Sequence, residues 1–161
     1  MKHEITDYIN LNNRLKELNI DKSISLSILP ENIISANSED DFVFTDTALE
    51  IKKYLNHHDI EIELLKSTDL KLKQRRAIDF FAPIVFIGYS ILTENYPIVK
   101  TVIDLLSKQI SDYYKGTFGK KNVKIEIVVE TTPKSEYKSI NYEGDIEGLK
   151  TIPEIIKSLK K

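Results

Sequence analysis

The chain reads as one α+β domain, with helices packed on a small mixed sheet and a C-terminal β-hairpin followed by a helix. Three observations predict this. Hydrophobic spacing switches repeatedly between a period near 3.6 and a period of two. No repeat or low-complexity tract divides the 161 residues, a length that suits a single domain. Apolar residues make up 41 %, with five glycines and five prolines, which is the composition of a globular chain and not of a disordered or fibrous one. Residues 1–45 supply an N-terminal helix, a strand and an acidic loop, and residues 46–160 supply the main body.

Ile5, Tyr8, Leu11, Leu15 and Leu18 recur at spacings of three and four, predicting an amphipathic helix over 4–18. From Ser23 to Leu29, Ile24, Leu26 and Ile28 alternate with serines, the pattern of a half-buried strand. Pro30 ends it, having no N–H for a ladder. Residues 31–45, with the cluster Glu39-Asp40-Asp41, read as an irregular, mobile loop. Asp46 is placed to cap a helix over 47–57 that buries Leu49, Ile51, Tyr54 and Leu55. Asp59 to Leu65 alternates again, with Ile60, Ile62 and Leu64 inward and Glu61 and Glu63 outward.

Phe80 to Leu92 is the longest apolar run, 13 residues. Its β-branched and aromatic content suits a central strand, whereas Pro83 suits one arm of a helical hairpin. Periodicity does not separate the two. Even as a helix the run is shorter than the ~20 residues that a membrane span needs. Tyr96, Val99, Ile103, Leu106, Ile110 and Tyr113 then follow a helical stripe, with Asn95 as N-cap, Pro97 in the first turn and Gly116 at a left-handed C-terminal cap. Val123, Ile125, Ile127 and Val129 mark a strand over 122–131, Pro133 a hairpin loop and 136–142 a return strand. Residues 142–149 read as a turn-rich link. Thr151 and Glu154 fit a capping box for a last helix over 152–160.

The chain has no cysteine, which excludes a disulfide scaffold, a thiolate metal site and a cysteine nucleophile. Gly116-Thr117-Phe118-Gly119-Lys120-Lys121 is not a phosphate loop: the glycines are too close, and the order is helix-loop-strand. His57 and His58 are adjacent, so on a helix they point about 100° apart and do not share an ion. Their place at a helix C-terminus suits the dipole. Gly88-Tyr89-Ser90 lacks the second glycine of a nucleophile elbow, and Ser90 reads as a packed core serine. Glu61 with Glu63, and Glu143 with Asp145, read as solvated strand and turn residues. No catalytic residue, metal site or cofactor is expected.

Net charge is −2 but unevenly placed: residues 1–65 carry 6 Lys/Arg against 13 Asp/Glu, and residues 66–161 carry 17 against 12. Much of the basic excess lies in Lys66 to Arg76. Lys71, Lys73, Arg75 and Arg76, joined by Lys120 and Lys121, are therefore the expected binding residues, suited to phosphates or an acidic protein surface. No aromatic ladder interleaves them, so stacking on single strands is not expected. The early acids and the lack of an apolar segment in Met1 to Asp7 speak against a secretory signal, so a cytoplasmic protein is expected.

Ser27-Ile28-Leu29-Pro30-Glu31-Asn32, Val123 to Glu130, and Tyr142-Glu143-Gly144-Asp145-Ile146-Glu147-Gly148-Leu149 together resemble segments of a loosely defined set of small bacterial α+β proteins. The layout over residues 46–160 is similar to that of effector-associated constant components encoded beside bacterial conflict and phage-defence systems. The resemblance implies a helper or adaptor subunit, with no catalytic residues to carry over. A non-catalytic interaction subunit that docks on a larger effector or on itself is the leading expectation. A nucleic-acid-binding accessory protein using residues 66–76 and 120–124, and an enzyme with no recognisable motif, are the alternatives.

Overall fold

The computed structural model describes residues 2–22, 24–66, 68–74, 80–116, 122–133 and 136–159. Its elements in chain order are β1 (Lys2–Asp7), α1 (Leu11–Glu17), β2 (Leu26–Leu29), β3 (Val43–Thr45), α2 (Ala48–His57), β4 (Glu63–Leu64), β5 (Lys71–Lys73), β6 (Phe80–Phe81), β7 (Ile84–Ile87), α3 (Tyr89–Glu94), α4 (Tyr96–Tyr113), β8 (Val123–Thr132), β9 (Glu136–Gly144) and α5 (Ile152–Leu159). The main sheet is mixed, in the order β1-β9-β8-β7-β2-β4, with β6 also on β8. β3 and β5 form a separate parallel pair. The expected α+β architecture, with a C-terminal strand pair and then a helix, is present.

β8 is the centre of the sheet. It pairs antiparallel with β9 and parallel with β6 and β7. Ile127, Val128 and Val129 are all fully buried; consecutive strand residues point to opposite faces, so both faces are covered there. Val123, Ile125, Ile127 and Val129 are buried on one face, the face on which Phe80, opposite Val123, meets Tyr113 of α4; α4 touches α2 and α5, and the three form the helical layer. The expected α4 stripe is in place, with Val99, Val102, Ile103, Leu106 and Ile110 buried, although Tyr113 at its end is 55 % exposed. Gly116 takes φ +84° after α4, a conformation that only glycine adopts without strain.

Several expectations are corrected. Residues 4–7 are strand, not helix. β1 pairs along β9 from Lys2↔Glu143 to Asp7↔Lys138, and α1 starts only after Asn10, whose Oδ1 accepts from the Asn13 N–H at 3.0 Å. Local periodicity carries no trace of β9, which lies far away in sequence. In β2 all four residues are buried, Ser27 included, because β2 is flanked by β7 and β4 and covered on both faces. The expected strand over Asp59 to Leu65 shrinks to Glu63–Leu64, with the inward and outward sides as read.

Residues 31–45 are ordered, not a mobile loop: Ile33, Ala36, Phe42 and Phe44 enter the core. The Arg14 guanidinium fastens this segment to α1, donating from Nε to the Ile33 carbonyl at 2.8 Å and from Nη2 to the Ala36 carbonyl.

The 80–92 run is neither one strand nor one helix. β6 and β7 run along β8 with an offset of 43 residues at Phe80↔Val123 and 42 at Val85↔Ile127. One extra residue therefore sits at Ala82-Pro83, a bulge where proline's missing N–H does no harm. α3 follows at once. Gly88 makes the joint by approaching β2: its N–H donates to the Ser25 carbonyl at 2.6 Å, and a Cβ there would meet Ser25 Cα at 3.1 Å. Ser90 is exposed on α3 rather than packed in the core.

Three helix and strand ends also differ. Asp46 does not cap α2; Thr47 holds that position and its hydroxyl donates to the Phe81 carbonyl at 3.0 Å. The return strand extends to Gly144 and lies between β8 and β1. Thr151 does not make a capping box, because its hydroxyl donates to the Gly148 carbonyl at 2.7 Å within a 3-10 turn that runs into α5.

Replacing Arg14 by Met keeps its apolar stem but leaves two buried carbonyls without a donor. A loss of about 2 kcal/mol is expected, seen as a lower denaturant midpoint with faster amide exchange concentrated in 31–42. Gly88→Ala crowds backbone against backbone, and a loss of about 1–3 kcal/mol is expected by the same measurement.

Candidate functional site

Opposed residues on paired strands share a face, so the register defines a polar face opposite the helical layer. Lys124 faces Glu143, Glu126 faces Asn141 and Val128 faces Ser139; Asn141 and Ser139 face Glu4 and Thr6 of β1 in turn. Where β8 carries Val128, α1 covers this face with Leu11 and Leu15 near Phe86 and Tyr137. Where β8 carries Lys124 and Glu126, no helix among the described residues covers it, and an open cleft of about 700 Å³ remains.

The far wall is built by Glu31 and Asn32, the two residues after Pro30. The Asn32 side chain bridges the segment, donating from Nδ2 to the Asp41 carbonyl at 2.8 Å and accepting the Val43 N–H at Oδ1 at 2.9 Å. Glu31 accepts the Thr45 hydroxyl at 2.9 Å, and its N–H donates to the Val43 carbonyl at 2.7 Å. Val43, Thr45 and Lys73 line the wall through the β3–β5 pair. On the sheet side Glu126 accepts the Ser139 hydroxyl at 2.5 Å, the Asn141 amide donates to the same Ser139 oxygen at 3.1 Å, and Lys124 Nζ lies 5.1 Å from the Phe81 ring centroid. Four carboxylates (Glu4, Glu31, Glu126, Glu143) line the cleft beside two ammonium groups (Lys73, Lys124).

Of the expected binding residues, Lys71 and Lys73 are exposed on β5, and Lys73 reaches the cleft. Arg75, Arg76, Lys120 and Lys121 lie outside the described residues. Lys66, the first cation of the basic stretch, is largely buried with its ammonium 3.8 Å from Asp40 of the acidic cluster. Sequence reading missed Glu4, Glu31, Thr45, Glu126 and Asn141. A signal existed for the sheet-borne ones, the polar alternation Lys124-Glu126 against Ser139-Asn141-Glu143. Glu143 is a cleft-facing strand residue, while Asp145 serves a turn as expected, accepting the Gly148 N–H at 2.8 Å.

His57 and His58 are exposed at the C-terminal end of α2, with His58 Nδ1 2.9 Å from the Tyr54 carbonyl oxygen. Among the described residues no three His, Asp or Glu side chains gather as metal ligands, and no helix is long and apolar enough to cross a membrane.

A smaller hollow of about 350 Å³ lies at the start of α3. Here Glu130 accepts the Tyr89 N–H at 2.9 Å and the Tyr137 hydroxyl at 3.2 Å. Burial, and then the Glu130 carboxylate, push the Tyr137 phenol up to about 12. Burial and Glu126 raise the Tyr8 phenol well above its ordinary value. Burial and Asp145 raise Tyr142, and burial and Glu154 raise Tyr96. No family model matches the chain, and no curated protein or solved structure gives a significant match.

A raised phenol holds its proton in the folded state after the unfolded chain has lost it. Stability therefore falls as pH rises from the ordinary tyrosine value near 10, continuing toward about 12 for Tyr137. Chemical denaturation at pH 9, 10 and 11 is expected to show this decline, and Tyr137→Phe is expected to make it shallower.

Proposed function

We propose that the protein is a non-catalytic interaction subunit that acts in the cytoplasm and binds a partner protein through β1 and the polar face beside it. The observation that carries this reading is the edge itself. Among the described residues β1 ends the main sheet, and residues 3–7 are exposed. A regular edge of this length offers its outer N–H and C=O groups as a template for another strand. At the other end of the sheet β4 has two residues and offers no such template.

The cleft favours a protein partner over a polyanion. Its four carboxylates outnumber its two ammonium groups, and Lys66 is already beside Asp40. Phosphate binding depends on uncompensated cations, so the nucleic-acid alternative is weakened on this face. The resemblance to companion proteins of conflict systems suggests a larger effector or a second copy of the chain as the partner.

In β1 the Tyr8 N–H, one step beyond the ladder, donates to the Tyr137 carbonyl at 3.0 Å. By the alternation of an antiparallel pair, Thr6 and Glu4 bond toward β9, and His3, Ile5 and Asp7 point their backbone groups outward. Ile5→Pro therefore removes an outward donor and spares the β9 ladder. Tagged wild type recovered from its host with nuclease present is expected to carry a stoichiometric protein partner by mass spectrometry, and Ile5→Pro is expected to lose it. Equal recovery by the variant, or partners lost on nuclease treatment, would overturn the reading.

A further inference from the structure

Resting on the reading of β1 as a docking edge, we infer that the strand it takes is β1 of a second copy of this chain, paired antiparallel about a two-fold axis through Ile5. Such an axis stands perpendicular to the sheet, so opposed residues share a face and their numbers share parity. Within residues 3–7 this leaves three centres: Glu4, Ile5 or Thr6.

Centring on Glu4 sets two carboxylates directly opposite each other, and like charges opposed across strands are destabilising. It also faces His3 with Ile5. Centring on Thr6 opposes Ile5 to Asp7 and leaves His3 without a partner in the stretch. Centring on Ile5 uses every residue. Ile5 meets Ile5, His3 meets Asp7 twice, and Glu4 meets Thr6 twice, where a hydroxyl can donate to a carboxylate. The charges that guard the edge against indiscriminate pairing thus become complementary in one register.

The backbone agrees with this choice. The outward groups belong to His3, Ile5 and Asp7, as the Tyr8–Tyr137 bond requires. In the Ile5-centred register these residues face one another, so each facing pair exchanges both of its backbone hydrogen bonds. The side chains remain accessible for the purpose. Ile5 is 42 % exposed, and Asp7, although paired with Lys138, keeps 86 % of its side-chain surface open. Ile5 lies on the helical-layer side of the sheet beside buried Ile140, and the second Ile5 extends that apolar surface.

The chain has no cysteine, so single-cysteine variants of the full chain read the register directly. In a hydrogen-bonded antiparallel pair the Cα atoms lie about 5.5 Å apart, within disulfide reach. Under mild oxidation Ile5→Cys is expected to cross-link as a dimer. His3→Cys and Glu4→Cys, whose counterparts lie two or more residues away along the strand, are expected to cross-link at least tenfold more slowly. By sedimentation equilibrium the wild type is expected to dimerise with concentration. Ile5→Pro is expected to weaken that dimer by roughly thirtyfold, since it removes a central donor from each copy, with an unchanged circular dichroism spectrum. Comparable cross-linking by Glu4→Cys or His3→Cys, a wild type that stays monomeric, or an undiminished Ile5→Pro dimer would overturn self-pairing. If the wild type is monomeric but Ile5→Pro still loses the host partner, self-pairing fails and the docking reading stands. If Ile5→Pro keeps both, both fail.

Discussion

Ile127, Val128 and Val129 are buried on both faces of the sheet, so this stretch needs a layer of side chains above and below. α2, α4 and α5 supply one layer. The other comes from α1, seven residues long, and the segment 31–45. A helix that short does not hold its shape alone in water. α1 persists because Leu11 and Leu15 are buried and because Arg14 ties it to the carbonyls of Ile33 and Ala36. The second layer is thin and stitched by hydrogen bonds, while the first is thick and apolar.

The cleft follows from the same strand. β8 is apolar on both faces only over Ile127, Val128 and Val129, and on one face before them, where Lys124 and Glu126 take the other side. Covering those two without partners would cost more than burial returns. The second layer therefore lifts away over the first half of β8, and Asn32 with the β3–β5 pair hold it there as a wall. A polar cleft next to an exposed edge strand results from where the apolar residues of β8 stop.

Part of the charge asymmetry of the chain is met within the fold. Acidic Glu39-Asp40-Asp41 and the basic stretch from Lys66 lie on either side of the boundary between the acidic and the basic segment of the sequence. β3 and β5 bring them side by side, and Lys66 meets Asp40. Within the cleft, carboxylates from β1, β8, β9 and the 31–45 segment surround Lys73 and Lys124. On the proposed reading, a partner would match this arrangement of both signs, together with backbone hydrogen bonds along β1, and not a field of one sign.

The sequence by itself determined the fold class, α2, α4, β8, α5 and the hairpin, because each carries a long or regular hydrophobic period that local geometry converts directly into a buried face. It also placed Lys71 and Lys73 on the surface and excluded thiol chemistry. Only the tertiary structure decided the rest. Residues 4–7 fit a helical stripe as well as a strand, and β9, more than 130 residues away along the chain, chose the strand. Phe80 to Leu92 became strand, bulge and helix because β8 offered a partner up to Ile87 and Gly88 could approach Ser25. Glu4, Glu31, Glu126 and Asn141 come from four separate segments; polar alternation marks Glu126 and Asn141 within their own strands, but nothing in local sequence joins them to Glu4 and Glu31. Their meeting in one cleft is a matter of strand register, set by hydrogen bonds between distant residues that a period along a single segment does not record.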